Sequence, residues 1–171
     1  MTPPAAANPL LDFTGLPRFD AIRAEHVTPA IEELLRRARA TVEAVVSDAR
    51  APTWSTLVEP IAEVLDGLER AWGATAHLNA VVSTPALRDA YNGNLPAVTA
   101  FFTELGQDRR LFERYKALAA GPEYPTLEPA RRRLIANELR DFRLGGAELP
   151  DDAKARFKAL QEESANLSAQ F

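Results

Sequence analysis

An all-α fold, a multi-helix bundle of about six to seven helices, is what this sequence predicts. Three observations carry that reading. Apolar residues recur at steps of three and four along most of the chain, no stretch alternates apolar and polar residues over a strand's length, and the periodic segments are separated by proline, glycine and capping residues. With 171 residues and 46% hydrophobic content, the chain is long enough for one domain with a real core. A protein of this size buries roughly 70% of the surface its unfolded chain exposes.

Taken in order, residues 1–17 read as a loose N-terminal tail and residues 18–171 as a single helical domain. The first helix places Val27, Ile31, Leu34, Leu35, Ala38, Val42, Val45, Val46 and Ala49 on one stripe, with Glu32, Glu33, Arg36, Arg37, Arg39 and Glu43 between them. Thr28 followed by Pro29 predicts an N-cap and first helical residue, with Glu32 and Glu33 close enough to the start to gain from the helix dipole. Ile31 stands where a capping-box glutamate would.

A second helix is predicted from an N-cap at Thr53 through Leu57, Ile61, Val64, Leu65, Leu68, Trp72 and Leu78 towards Val82. Pro60 within it predicts a kink or a restart. A third starts with Thr84 as N-cap and Pro85 as first helical residue, and its run through Leu87, Tyr91, Val98, Phe101 and Leu105 is expected to bend at "NGNLP", which contains Pro96. The short "RRLFERYKALAAGP" is closed by Gly121 and Pro122. In "TLEPARRRLIANELRDFRLGG", Leu127, Leu134, Ile135, Leu139 and Phe142 share one side, and Gly145 and Gly146 offer a left-handed cap. The last helix carries Phe157, Leu160, Ser164, Leu167 and Phe171 on a stripe that reaches the final residue, with Asp151 and Asp152 in its first turn. No glycine, proline or basic last turn closes it, so the pattern fits both an uncapped terminal helix and the N-terminal piece of something longer.

Several function classes are excluded or made remote. Without cysteine there are no disulfides, thiolate metal sites or cysteine catalysis, and a reducing compartment, by default the cytoplasm, is expected. The N-terminus has neither the basic region nor the apolar core of a signal peptide, and no apolar run approaches the ~20 residues of a membrane span. A net charge of −4 argues against a nucleic-acid footprint.

The stretch "AEHVTPAIEE" sets His26 beside Glu25 and ahead of Glu32 and Glu33, which invites a metal reading. A catalytic zinc takes about three protein ligands, supplied economically by H-E-x-x-H on a helix. Neither His26 nor His77 starts that motif, since Ala30 and Val81 occupy the fourth positions onward. A composite site of His26, His77 and carboxylates remains open to the pattern, and helix-start logic explains the stretch better. No G-x-S-x-G elbow and no P-loop is present. Arg109, Arg110 and Arg131 to Arg133 are interleaved with acidic neighbours and read as solvated helix faces. The group His77, Asn79, Arg88, Asp89, Tyr91 and Asn92 gathers at an inter-helix corner; it could line a ligand groove, but such side chains more often satisfy backbone groups left open at helix ends.

Three motifs in succession resemble a known family. They are F-x-x-I-x-x-E-H-V-x-P-A (Phe19, Ile22, Glu25, His26, Val27, Pro29, Ala30), H-L-N before a threonine-proline corner (His77, Leu78, Asn79, Thr84, Pro85), and R-D-F-x-L-x-G before L-P (Arg140, Asp141, Phe142, Leu144, Gly146, Leu149, Pro150). Together, from Asn8 to Phe171, they resemble the N-terminal helical region of the thimet-oligopeptidase-like zinc metallopeptidases, the oligopeptidase A branch in particular; the dipeptidyl carboxypeptidase branch shares a weaker version.

The resemblance implies a cytoplasmic, nearly all-helical enzyme about four times this long that cuts short peptides in a channel between two lobes. It implies one zinc ion, held by H-E-x-x-H and a later glutamate in the C-terminal part. None of those residues is present here, so no cofactor, catalytic residue or metal ligand is expected in this chain, and no substrate-binding residue is singled out. The chain is expected to be a non-catalytic part of the N-terminal lobe, truncated within its last helix, walling the channel and limiting entry by size. Its expected partners are the C-terminal catalytic part of the same polypeptide and short peptides, with no nucleic acid and no membrane. Phe157, Leu160, Leu167 and Phe171, left short of contacts, are expected to drive self-association. The alternative is a free-standing helical interaction module derived from that lobe.

Overall fold

The computed structural model describes residues 8–170. Six α-helices follow one another: α1 (Ala24–Ser47), α2 (Glu59–Val81), α3 (Pro85–Gln107), α4 (Arg109–Ala120), α5 (Pro129–Gly145) and α6 (Asp151–Gln170). Short turns of 3₁₀ helix lie at Pro9–Leu11 and Tyr124–Thr126, a π-helical turn precedes α2 at Trp54–Val58, and there is no strand among the described residues.

The apolar stripes meet in two cores. In the first, Val27, Ile31 and Leu34 of α1 pack against Leu68 and Ala71 of α2 and Val98 and Phe101 of α3. In the second, Val42 and Val45 at the far end of α1 join Leu57, Ile61, Leu111, Phe112, Tyr115, Leu118, Ile135 and Phe142. Leu65 and Leu105 touch both cores, so α1, α2 and α3 form a continuous spine on which α4 and α5 close one end.

The helix starts are set by named side chains. Thr53 caps the second helical segment as expected, exchanging hydrogen bonds with Thr56: Thr56 N donates to Thr53 Oγ1 at 3.2 Å and Thr53 N to Thr56 Oγ1 at 3.0 Å. Pro60 marks the restart, because the π-helical turn gives way to α-helix at Glu59 and the proline falls in the first turn of α2, where its missing N–H costs little. Thr84 caps α3, accepting from Leu87 N at 3.3 Å. That helix runs through "NGNLP" without interruption; Pro96 removes only the partner of the Asn92 carbonyl, on an exposed residue. Gly146, with φ of 93°, closes α5 in the left-handed conformation.

Four expectations need correction. First, α1 does not begin at Thr28. It begins at Ala24, and His26 Nδ1 accepts from Arg23 N at 3.0 Å, the part a capping-box glutamate would play. Pro29 then lies inside the helix, where it leaves unpaired only the carbonyl of exposed Glu25. The Thr28 hydroxyl instead accepts from Nδ2 of buried Asn94 at 2.8 Å, tying α1 to α3.

Second, the tail is not loose throughout residues 1–17. Asn8 Nδ2 donates to the His26 carbonyl at 2.8 Å, Leu10 is buried in the first core, and the Phe13 ring lies where Gly67 leaves room for it, 3.4 Å from the position a Cβ would take. Residues 1–7 lie outside the described residues. Third, Leu134 is exposed: Ile135, Leu139 and Phe142 define the buried side of α5, and Leu134 stands one residue off that stripe. Fourth, α1 ends at Ser47, which leaves Ala49 exposed beyond it.

The last helix differs from the others in having no fully buried residue among those described. It lies along α3 through Lys154 Nζ, which donates to the Gln107 carbonyl at 3.1 Å, and through Lys158 paired with Glu104. Phe157 is half-buried, whereas Leu160 is 56% and Leu167 50% exposed. Phe171, the last position of the expected stripe, lies outside the described residues.

Candidate functional site

The residues that the sequence offered for chemistry do not converge. His26 serves the start of α1, and His77 is exposed with its ring 5.4 Å from that of Phe19. Among the described residues no three histidine, aspartate or glutamate side chains are grouped so as to hold a metal ion. With Nδ1 of His26 occupied by a backbone N–H, this donor set does not fit the zinc of the resembling family, and no chemistry is routed through such an ion here.

The polar group at the α2–α3 corner divides by task. Ser83 takes a left-handed φ of 49°, and Arg88 Nη1 secures that strained residue through the Ser83 hydroxyl at 2.8 Å. Tyr91 stacks on Trp72 with centroids 4.6 Å apart and planes 9° from parallel, joining α3 to α2. Asp89 and Asn92 face solvent, and Asn79 holds its side-chain oxygen buried without a partner among the described residues. These residues serve the corner rather than a groove. Of the arginines, Arg110 bridges Glu43 and Asp108, each at 3.0 Å, and Arg131 lies over the Trp54 ring at 4.7 Å.

Two depressions do combine shape with chemistry. A groove of about 560 Å³ between α3 and α6 is lined by Trp72, Val98, Phe102, Leu144, Phe157 and Gln161. It is mainly apolar, and the exposed Leu144 of α5 lies on its lining. The second is a cleft of about 150 Å³ bounded by Ile61 and Leu65 of α2, Phe102 and Leu105 of α3, Leu111 and Tyr115 of α4, and Glu138, Asp141 and Phe142 of α5. The two share Gly106, where α3 and α5 come close: a Cβ on Gly145 would stand 3.0 Å from the Gly106 carbonyl oxygen.

Electrostatically the cleft is acidic over an apolar floor. Burial, and then the like charges of Asp141 and Glu69, hold the Glu138 carboxyl above its ordinary range. Glu138 has no ion-pair or hydrogen-bond partner among the described residues, whereas Asp141 is paired with neighbouring Arg140 at 2.8 Å. Tyr115 is 2% exposed; burial and then the nearby Glu138 push its phenol well above the usual value, and its hydroxyl finds no hydrogen-bond partner among the described residues. Neither residue stood out in the sequence. A signal existed, since Glu138 lies three residues after Ile135 and four before Phe142 and so occupies the apolar stripe of α5.

Comparison with known proteins places this architecture. Residues 30–154 match the family described as Neurolysin/Thimet oligopeptidase, N-terminal domain. The chain is 38% identical over 164 residues to oligopeptidase A of Salmonella typhimurium, covering 96% of this chain and 24% of that protein. It is 36% identical over 166 residues to a probable cytosolic oligopeptidase A of Arabidopsis thaliana, covering 97% and 24%. To the dipeptidyl carboxypeptidase of Salmonella typhimurium the identity is 30% over 173 residues, covering 97% and 25%. The likeness is therefore stronger to the oligopeptidase A branch than to that carboxypeptidase, and the chain spans about a quarter of the length of these relatives. With the helical bundle and a family match over most of the described residues, the chain belongs to the neurolysin/thimet oligopeptidase family, as its N-terminal domain.

Proposed function

We propose that this chain is the non-catalytic N-terminal domain of a cytoplasmic metallo-oligopeptidase that degrades short peptides, where it contributes a wall of the peptide channel and excludes folded substrates by size. The observation that carries this reading is the match of nearly the whole chain to about a quarter of oligopeptidase A, in the region described as an N-terminal domain. The H-E-x-x-H zinc motif has no counterpart in the 171 residues, so the hydrolytic chemistry belongs to the remaining polypeptide. No described helix is long and apolar enough to cross a membrane, which is compatible with the proposed compartment.

The architecture suits a rigid wall. Two cores joined through α1, α2 and α3 make a body that a bound peptide would not deform, and capped, short corners hold the helices in register. The C-terminal catalytic part is the principal partner, and the exposed apolar residues Leu144, Leu160 and Leu167 give it a surface to pack on. The test is reconstitution. The 171-residue chain with added zinc should not turn over a quenched fluorescent peptide, and activity should appear when a C-terminal part carrying H-E-x-x-H is supplied. Turnover by the isolated chain with stoichiometric zinc would overturn the proposal.

The same exposed leucines favour a second reading, a free-standing helical interaction module that docks a partner on α6. The coding sequence downstream of Phe171 separates the two: an open frame reaching H-E-x-x-H supports the peptidase domain, and a stop codon supports the module.

A further inference from the structure

We propose that α6 is a strap held down by a charge clasp, the Glu104 carboxylate gripping the Lys158 ammonium, that salt loosens this clasp, and that lifting the strap opens the apolar groove between α3 and α6.

The strap lacks the anchor that the other helices have. Each of α1 to α5 sets buried residues into a core, whereas α6 has none among those described. Its half-covered residues are Ala153, Lys154, Phe157, Lys158, Glu162 and Ala165, so the side turned to α3 carries one large apolar side chain. Leu160 and Leu167 lie off that side and are exposed. Packing of an apolar face is what ordinarily fixes a helix on a protein body, and α6 has little of it. The groove shows the same deficit. About 560 Å³ stays open where Trp72, Val98, Phe102 and Leu144 meet Phe157, whereas packed interiors hold few voids larger than a water molecule.

What holds α6 instead is charge. Glu104 is the fixed half of the clasp: its Oε2 accepts from Arg39 Nη1 of α1 at 2.7 Å, and Arg39 in turn lies over the ring of buried Phe101, 5.4 Å from its centre. Oε1 of the same carboxylate accepts from Lys158 Nζ. One turn earlier, Lys154 Nζ donates to the carbonyl of Gln107, the last residue of α3, where the helix dipole favours a cation. Beyond Lys158 no hydrogen bond or ion pair joins α6 to another element among the described residues. The Lys158 and Glu104 side chains are 35% and 40% exposed, so dissolved ions reach the pair and screen it. The turn into α6 offers a pivot, since Ala147 is buried at the end of α5 while Glu148, Leu149 and Pro150 are exposed. Raised ionic strength therefore weakens the hold on α6 and leaves the two apolar cores intact. The inference concerns contacts within this chain and does not depend on the peptidase reading.

The test uses the 171-residue chain carrying Trp54→Phe, so that Trp72 on the groove is its one tryptophan. Amide hydrogen exchange and Trp72 emission are followed from low salt to about 0.5 M sodium chloride, where the screening length falls to a few ångströms. Exchange along α6 should quicken by about tenfold, the equivalent of losing one charge-assisted hydrogen bond, with α1 to α5 unchanged and the emission shifted to the red as water enters the groove. Glu104→Gln should show both changes already at low salt and respond little further. Glu104→Leu combined with Lys158→Leu exchanges the clasp for an apolar contact, so α6 should stay docked and lose most of its salt response. Urea midpoints confirm that the variants fold. Exchange in α6 that ignores salt, exchange that rises equally in all six helices, faster α6 exchange without a change at Trp72, or a double variant as salt-sensitive as the parent would overturn the proposal.

Discussion

The close passage of α3 and α5 can be tested with one methyl group. A Cβ added at Gly145 would stand 3.0 Å from the Gly106 carbonyl oxygen and 3.4 Å from both its carbonyl carbon and its Cα, so every neighbour is backbone and no side chain can swing aside. Replacing glycine by alanine in a helix ordinarily gains about 0.5–1 kcal/mol, towards the low end at a last helical residue such as Gly145. Overpacking of a tight contact costs about 1–3 kcal/mol. The difference predicts that Gly145→Ala loses on the order of 1 kcal/mol. Two controls isolate the cause. A Cβ at Gly93, inside α3, meets nothing within 4 Å, so Gly93→Ala should gain the full propensity term. At Gly106 the nearest atom is the Gly145 Cα at 3.9 Å, ordinary contact, so Gly106→Ala should be neutral or mildly stabilising. Urea unfolding followed by helical circular dichroism gives the three differences directly, and a loss of 1 kcal/mol lowers the melting temperature by about 2–4 °C in a chain of this size. If Gly145→Ala proves as stable as Gly93→Ala, the helices are farther apart than the structure places them, and the wall shared by groove and cleft is wrong.

The start of α1 gives a contrast between neighbouring residues: His26→Ala should cost about 1 kcal/mol and speed amide exchange at residues 24–27, whereas Thr28→Ala, which removes the acceptor for Asn94, should leave exchange at the helix start unchanged. Glu138 gives a pH signature. Its folded-state pKa lies above the unfolded value, so the folded state holds the proton more tightly, and stability is lost as pH rises from the ordinary carboxylate range through the folded pKa. Glu138→Gln should therefore be more stable than the parent at neutral pH, with the advantage shrinking in acid; urea midpoints at both ends check it, and an advantage that grows in acid refutes the sign. For α6, Leu160→Gln with Leu167→Gln should reduce any concentration-dependent self-association seen by light scattering, and a parent chain that stays monomeric at every concentration removes that expectation.

Sequence periodicity recovered the helices because burial on one side is what the 3.6-residue repeat encodes, and it recovered Thr53, Thr84 and Gly146 because those caps are local. It misplaced the start of α1 for a physical reason. A threonine-proline pair is the commoner opening, but here a histidine nitrogen takes the capping acceptor's place, and the threonine is claimed by a residue 66 positions away. The N-terminal segment escapes the pattern for a similar reason: "NPLLDF" has no period to speak for it, and the three-dimensional neighbours of Leu10 and Phe13 give it a place. The cleft is more distant still from sequence, since its four walls come from four helices.

The same periodic pattern carries opposite meanings at the two ends of the chain. In α1, Val27, Ile31 and Leu34 step by four and three and are at most 2% exposed, because α2 and α3 lie against them. In α6, Leu160 and Leu167 are spaced seven apart, as two turns of one stripe require, yet each stays about half exposed, with α3 the main helix alongside among the described residues. An amphipathic stripe thus encodes that a face is to be covered and leaves open by what. In α1 the cover is supplied by this domain. In α6 the stripe continues past Phe157 and stays uncovered among the described residues, the face on which the proposed function seats the catalytic part.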